Sequence, residues 1–351
     1  MCVRIPEIII DQRKIGEKHP PLIIAEIGIN HEGNVKLAKK MVYDAYQSGA
    51  ECVKFQTHII KDEMTQEAQK TFPANANESI YDIIKRCSLN SKERMLLKKY
   101  VEQLGMIYLS TPFSRAAADE LEKMNVKAFK IGSGECNNYP LIEHIAKFGK
   151  PIILSTGMND IISIKKSISI FHENRIPYAL LHCTSLYPTP YSKVRLGAIN
   201  ELKKNFSDAV VGLSDHSIGN YTCFAAISLG ATILEKHFTS SKNLPGPDIQ
   251  ISIDPYELKD LINGSKAIHQ ALGGKKTILK DEQPTIDFSN SSVVSIKEIK
   301  KGEIFTEENI WVKRPGTGEI RAEYYYNILG KKAIKYIDKD MQLKKDMIAN
   351  E

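Results

Sequence analysis

Eight short apolar runs recur along this chain, and each turns polar at its carboxyl end. They are LIIAEIG from Leu22, CVKFQT from Cys52, MIYLST from Met106, AFKIGS from Ala128, PIILST from Pro151, YALLHCT from Tyr178, AVVGLSDH from Ala209 and ATILEKHF from Ala231. Between them lie stretches with helical spacing of apolar residues, such as NVKLAKKMVYDAYQSG, SRAAADELEKMN and YPLIEHIAKFG. Asn34 suits the N-cap of the first and Gly149 the C-cap of the third. Alternating strand and helix units over about 270 residues predict an α/β chain folded as a (β/α)8 TIM barrel, usually roughly 250 residues long.

The strand ends carry the information about function. They bring Glu26, Lys54, Gln56, Ser110-Thr111, Lys130, Ser133-Gly134-Glu135, Ser155-Thr156, His182, Thr184, Ser185, Ser214-Asp215-His216 and Glu235-Lys236-His237 to one rim. One polar strand end is an ordinary loop start. Eight together place a ring of chemistry at the carboxyl face, where such barrels keep their active sites.

Composition excludes several classes. The formal net charge of +6 is spread along the 351 residues, with no basic run interleaved with aromatics, so nucleic acid is not an expected partner. An anionic small molecule suits it better. The six cysteines (Cys2, Cys52, Cys87, Cys136, Cys183, Cys223) show no CxxC spacing and read as free thiols in a reducing compartment. The opening MCVRIPEIII is too short in apolar length for a signal peptide, and no stretch approaches membrane-spanning length. A cytoplasmic enzyme is expected.

Three boundaries follow. Residues 1–274 form the barrel with a short N-terminal extension, and 58–90 within it are a long insertion suited to a lid. Residues 275–290 lack periodicity and read as a linker. Residues 291–351 form a separate module with an internal repeat, IKKGEIFTEENI from Ile299 and IDKDMQLKKDMI from Ile337. A small β-rich fold with pseudo-twofold symmetry accounts for the repeat, and at that size it needs support from another surface.

Lys54 and Lys130, with hydroxyls at Thr111, Ser133, Ser155 and Ser214, suit a ligand bearing phosphate and carboxylate. The alternatives are surface salt bridges, or a lysine that forms a Schiff base with a ketone. His216 and His237 end neighbouring strands and can hold one divalent cation with positions left for oxygen ligands, which points to Mn²⁺, Mg²⁺ or Co²⁺. On spacing alone they can equally be two ordinary histidines. Asp215 and Glu235 are candidates to fix the imidazole tautomers. Glu26 and Glu135 are rim carboxylates able to move a proton.

AEIGINHEG, VKFQTH, FKIGSGECNNYPLI, LSTGM, LHCTSLYPTPY, GLSDHS, EKHF and GPD occur in barrel order, and together they resemble the sialic acid synthase family. That family includes N-acetylneuraminate, legionaminate and pseudaminate synthases. SVVSIKEIKKGEIFTEENIWVKRPGTG looks like its C-terminal antifreeze-like (SAF, β-clip) domain. The resemblance covers nearly all of the chain after the first twenty or so residues. It implies a phosphoenolpyruvate site of Lys54, Thr111, Lys130, Ser133, Ser155, Ser185 and Ser214. It implies a metal on His216 and His237, Mn²⁺ first, with Glu135 as acid/base. Glu26, Gln56, Tyr187, Asp248, Phe288 and Arg314 would surround the sugar, Arg314 arriving from the partner of a domain-swapped homodimer. Ser185 departs from the pattern, because many N-acetylneuraminate synthases have asparagine there.

The implied reaction condenses phosphoenolpyruvate with open-chain N-acetylmannosamine, a metal polarising the aldehyde, to give N-acetylneuraminate and phosphate by C–O cleavage. A 2,4-diacetamido hexose, as in legionaminate or pseudaminate synthases, is the alternative acceptor. A Schiff-base pyruvate lyase on the same barrel is the more distant rival.

Overall fold

The computed structural model describes residues 5–73 and 76–349, so Cys2 lies outside the described residues. The chain divides into two units, residues 1–272 and 273–351.

The first unit opens with a hairpin of β1 (Glu7–Ile10) and β2 (Arg13–Gly16) that sequence reading left as a plain extension. Eight parallel strands follow: β3 (Leu22–Gly28), β4 (Cys52–Thr57), β5 (Ile107–Pro112), β6 (Phe129–Ile131), β7 (Ile152–Ser155), β8 (Tyr178–Cys183), β9 (Val210–Asp215) and β10 (Ile233–His237). The sheet runs β5-β4-β3-β10-β9-β8-β7-β6, and β5 and β6 lie side by side to complete a TIM barrel. All eight expected strands are present: β3 and β4 match the expected runs, β5 is shifted by one residue, and β6 to β10 are trimmed by one or two residues at their ends.

Strand parity explains the two cores. Side chains alternate across a strand, and here Ile23, Ala25, Ile27, Val53, Phe55, Leu154, Leu180, Leu213 and Leu234 face outward to the helices. Their neighbours Leu22, Ile24, Cys52, Leu109, Ala128, Ile153, Ala179, Leu181, Val210 and Ile233 form a second cluster with Ile8, Ile10 and Ile15 of the hairpin. The hairpin therefore closes the amino-terminal mouth. Gly212 is required inside this cluster: a β-carbon there would collide with the Ile233 carbonyl and lie 2.6 Å from Leu181 Cδ2.

Helix α1 (Val35–Gln47) begins as expected, with Asn34 Oδ1 accepting from the amides of Lys36 and Leu37. The helix Tyr139–Ala146 instead ends with Lys147 as C-cap. Gly149 lies two residues on with φ +70°, its amide donating to Ala146 O. The insertion contains α2 (Ile60–Glu63) and α3 (Ile80–Cys87), whose Ile83, Ile84 and Cys87 bury against Ile29. Cys52, Cys87, Cys136, Cys183 and Cys223 are free and buried. Among the described residues no helix is long and apolar enough to cross a membrane.

In the second unit the expected linker carries helical structure, Gln283–Ser289, too short to leave a periodic signature. Strands β11 (Ser292–Ser295) and β12 (Ile310–Lys313) pair antiparallel. The two repeat copies meet at Ile299 and Ile337, which exchange both backbone hydrogen bonds. Further backbone bonds obey the same residue offset: Phe305 to Lys331 matches Leu343 to Val293, and Ile296 to Asn309 matches Ile334 to Met347. Ile299, Phe305 and Ile310 share one core with their counterparts Ile337, Leu343 and Ile348. The repeat is a structural twofold.

Candidate active site

At the carboxyl mouth the inward-facing positions stop being apolar. Lys54, Thr111, Lys130, Ser155 and Ser214 are all buried there. Lys54 Nζ donates to Thr111 Oγ1 at 3.2 Å and Lys130 Nζ to Ser155 Oγ at 2.7 Å. The two ammonium groups are not free. Lys54 lies 2.8 Å from Glu26 and 3.9 Å from Glu235, and Lys130 lies 3.7 Å from Glu235, whose Oε1 accepts from Ser214. Burial works against the Lys54 cation, but Glu235 and Glu26 hold its pKa above the ordinary value; burial pulls Lys130 down. Glu26, expected beside the sugar, pairs with this lysine and also accepts from Gln56 Nε2 at 3.4 Å.

Ser133 and Ser185 belong to the same place. The Gly157 amide donates to Ser133 Oγ at 3.0 Å, and a β-carbon at residue 157 would lie 2.5 Å from Ser185 Oγ and 2.8 Å from Ser133 Oγ. Glycine is what lets the backbone approach these hydroxyls. All seven expected anion-site residues thus lie at this mouth.

His216 and His237 stand with ring centroids 5.5 Å apart, and Tyr187 stacks on His216 at 4.2 Å. His216 Nδ1 lies 2.9 Å from the Thr184 carbonyl, which keeps a proton on Nδ1, so in the neutral ring the lone pair is on Nε2. His237 Nδ1 is buried with no hydrogen-bond partner, and Asp248 Oδ2 stands 3.7 Å away. Burial holds His237 well below the ordinary histidine range, in the neutral form that binds metals. Burial opposes the His216 cation too, but the negative charge of an ionised Cys183 raises its pKa to about 9, so a metal bound at Nε2 would displace a proton from it. Among the described residues no group of three or more His, Cys, Asp or Glu is arranged to hold a metal ion. A two-imidazole site completed by water and substrate oxygens fits these donors.

Asp215 and Glu235 do not orient the imidazoles, which corrects the sequence reading. Asp215 Oδ2 accepts from Lys236 Nζ at 2.6 Å, Thr222 Oγ1 at 2.7 Å and Ser217 Oγ at 2.9 Å. Asp215 and Lys236 are directly paired in the sheet register, one position out of phase with inward-facing Ser214 and Glu235. They bury their charges together on the side of the helix Tyr221–Ser228. The Thr184 carbonyl, which sequence cannot single out, holds His216 instead.

Gln56, Tyr187, His237 and Asp248 line one cavity of about 370 Å³. Burial pushes Asp248 up to about 6, against the pull of His216 and Lys54. Glu135 opens into a neighbouring cleft of about 680 Å³, and its carboxylate accepts from Asn138 Nδ2 at 2.5 Å. Burial raises its pKa, and the charge of Glu63 adds to that. Glu63, Met64 and Phe113 line both spaces. His58, unassigned from sequence, also lines the first cavity. In the second unit the Arg314 guanidinium sits 5.8 Å from the centroid of the exposed Phe288 ring.

Residues 41–277 match the NeuB family and residues 290–349 the SAF domain. The chain is 42% identical to N,N'-diacetyllegionaminic acid synthase of Campylobacter jejuni, over 91% of this chain and 97% of that one. It is 32% identical to human N-acetylneuraminate-9-phosphate synthase, over 96% and 95% respectively. A crystal structure of N-acetylneuraminic acid (sialic acid) synthetase from Leptospira borgpetersenii superposes with a TM-score of 0.72 at 34% identity, over 80% of this chain and 95% of that one. A TIM barrel whose carboxyl mouth gathers buried lysines, hydroxyls and two imidazoles, followed by an SAF domain, accords with these matches: the chain is an enzyme of the NeuB family of sialic, legionaminic and pseudaminic acid synthases.

Proposed function

We propose that this enzyme condenses phosphoenolpyruvate with the open-chain aldehyde of an N-acetylated amino sugar, giving a nine-carbon 2-keto-3-deoxy acid and phosphate. The observation that carries the reading is one buried pocket holding Lys54, Lys130, Thr111, Ser155 and Ser214, with the Ser133–Gly157–Ser185 cradle at the same mouth. Lys54 and Lys130 offset phosphate and carboxylate charge. Glu26 and Glu235, which neutralise the lysines in the free protein, leave the pocket selective for a strongly anionic ligand that competes for them.

C3 of phosphoenolpyruvate forms a bond to the aldehyde carbon as the C=O π bond opens onto its oxygen, which takes up a proton to become a hydroxyl, and cationic character is left at C2. Water adds at C2 and gives a proton to Glu135, whose pKa burial raises above the ordinary carboxylate value and so favours proton uptake. The resulting tetrahedral carbon expels phosphate by C–O cleavage. A divalent cation on His216 and His237, Mn²⁺ first and Mg²⁺ or Co²⁺ next, supplies Lewis acidity when bound. Holding both substrates at one mouth supplies the orientation that the bimolecular reaction lacks in water.

N-acetylmannosamine, giving N-acetylneuraminate, is the simplest acceptor. A 2,4-diacetamido hexose is the second reading, favoured by the 42% identity to a synthase named for a diacetylated product. On this proposal the active form is a cytoplasmic homodimer in which the partner subunit's Arg314 reaches the sugar, and Phe288 flanks it. Acceptor-dependent phosphate release, lost in chelator, tests the reading. Inactivation by borohydride with pyruvate, without any metal requirement, would establish the lyase alternative, for which a Lys130 amine lowered by burial is the natural candidate.

A further inference from the structure

The insertion after β4 supplies no residue to the chemistry above, yet it is tied to the site at one polar point. His58 Nδ1 lies 2.9 Å from both carboxylate oxygens of Glu63, the last residue of α2. Its Nε2 lies 2.9 Å from Gln56 Oε1, and its ring stacks on Phe113 at 4.4 Å and 12°. Both ring nitrogens thus meet polar oxygens, one on the insertion and one on β4. Gln56 turns its amide nitrogen the other way, to Glu26 Oε1. A line of polar contacts thus runs Glu26–Gln56–His58–Glu63, out of the anion pocket and into the insertion. Just beyond Glu63, Met64 and Ile80, both half-buried, line the cavity that holds Tyr187, His237 and Asp248. An apolar surface there suits acetyl methyl groups better than sugar hydroxyls.

We propose that His58 is a positioning residue for the acceptor sugar. Through Glu63 it seats the insertion so that Met64 and Ile80 form a wall for an N-acetyl methyl, and through Gln56 it fixes which end of that amide the sugar meets. The inference rests on the condensation reading above.

Steady-state kinetics of phosphate release from the full chain, with each substrate varied in turn, test it. His58→Phe keeps the stack on Phe113 and removes both hydrogen bonds; Glu63→Gln is isosteric and removes the charge. Each raises KM for the acceptor about tenfold and leaves KM for phosphoenolpyruvate within about twofold. The double variant is no worse than the worse single one, because both cut the same link. Should His58→Phe fail to fold, Glu63→Gln makes the same test. Equal rises in both KM values, additive losses, or acceptor KM unmoved would overturn the assignment. No phosphate release by the unsubstituted enzyme with any acetamido sugar would overturn the condensation reading and this inference with it.

Discussion

The two mouths of the barrel are built from the same eight strands and the same inward parity, yet they are chemically opposite. At the amino mouth the inward positions are Leu22, Ile24, Cys52, Ala128, Ile153 and Ile233, stoppered by Ile8, Ile10 and Ile15 of the hairpin. A few residues further along, the inward positions are Glu26, Lys54, Lys130, Ser155 and Glu235, equally buried and charged or hydroxylated. One end stabilises by removing apolar surface from water. The other is stabilised only through mutual pairing, since each buried ion needs its partner. What separates fold from function here is position along the strand, not degree of burial.

Substitutions at the carboxyl mouth therefore act on turnover, and those beneath it on stability. The largest expected effect is at Glu135. Glu135→Gln lowers turnover about 10²–10⁴-fold, while equilibrium binding of phosphoenolpyruvate and the melting temperature stay near those of the unsubstituted enzyme; near-normal turnover would remove Glu135 from the chemistry. Next is Lys236→Met, which strands the buried Asp215 carboxylate. Breaking such a pair costs about 3–5 kcal/mol, read as a fall in denaturation midpoint, and a small loss would mean that the pair relaxes toward water. Ile15→Ala should destabilise by about 2–5 kcal/mol, with kcat/KM at 25 °C unchanged. A kinetic defect in the folded Ile15→Ala protein would mean that the two mouths communicate.

The smallest effect sharpens the electrostatics at the rim. Burial, assisted by Glu63, raises the Glu135 pKa. Its ionised form is accordingly lost at a higher pH than usual as the medium is acidified. Glu63→Gln removes one of the two raising influences, so the acidic limb of the kcat profile moves to lower pH. A shift in the opposite direction would show that Glu63 does not act on Glu135 by charge.

The contrast between the mouths also governs what was legible in sequence. Eight polar strand ends announced the barrel and its active face, because apolar starts and polar finishes reflect depth in the barrel directly. The hairpin escaped because its strands are four residues each, and only Ile8, Ile10 and Ile15 mark its buried side. Asp215 and Lys236 were misread as active-face groups, although their parity with Ser214 and Glu235 already set them outward. His58 was invisible as a functional residue, since its significance lies in Glu63 and Gln56 meeting both ring nitrogens, a matter of geometry alone. The pseudo-twofold of the C-terminal unit was readable because both copies of its repeat contribute equivalent core residues.

The central claim is that the carboxyl mouth splits the C–O bond of phosphoenolpyruvate as it joins C3 to an amino-sugar aldehyde. Phosphoenolpyruvate labelled with ¹⁸O at the bridging oxygen, incubated with the enzyme, Mn²⁺ and an acetamido sugar, tests it by mass measurement of both products. The account predicts acceptor-dependent phosphate that carries the label and a nine-carbon keto acid that does not. Label retained in the organic product, or no phosphate beyond the acceptor-free control, would contradict it.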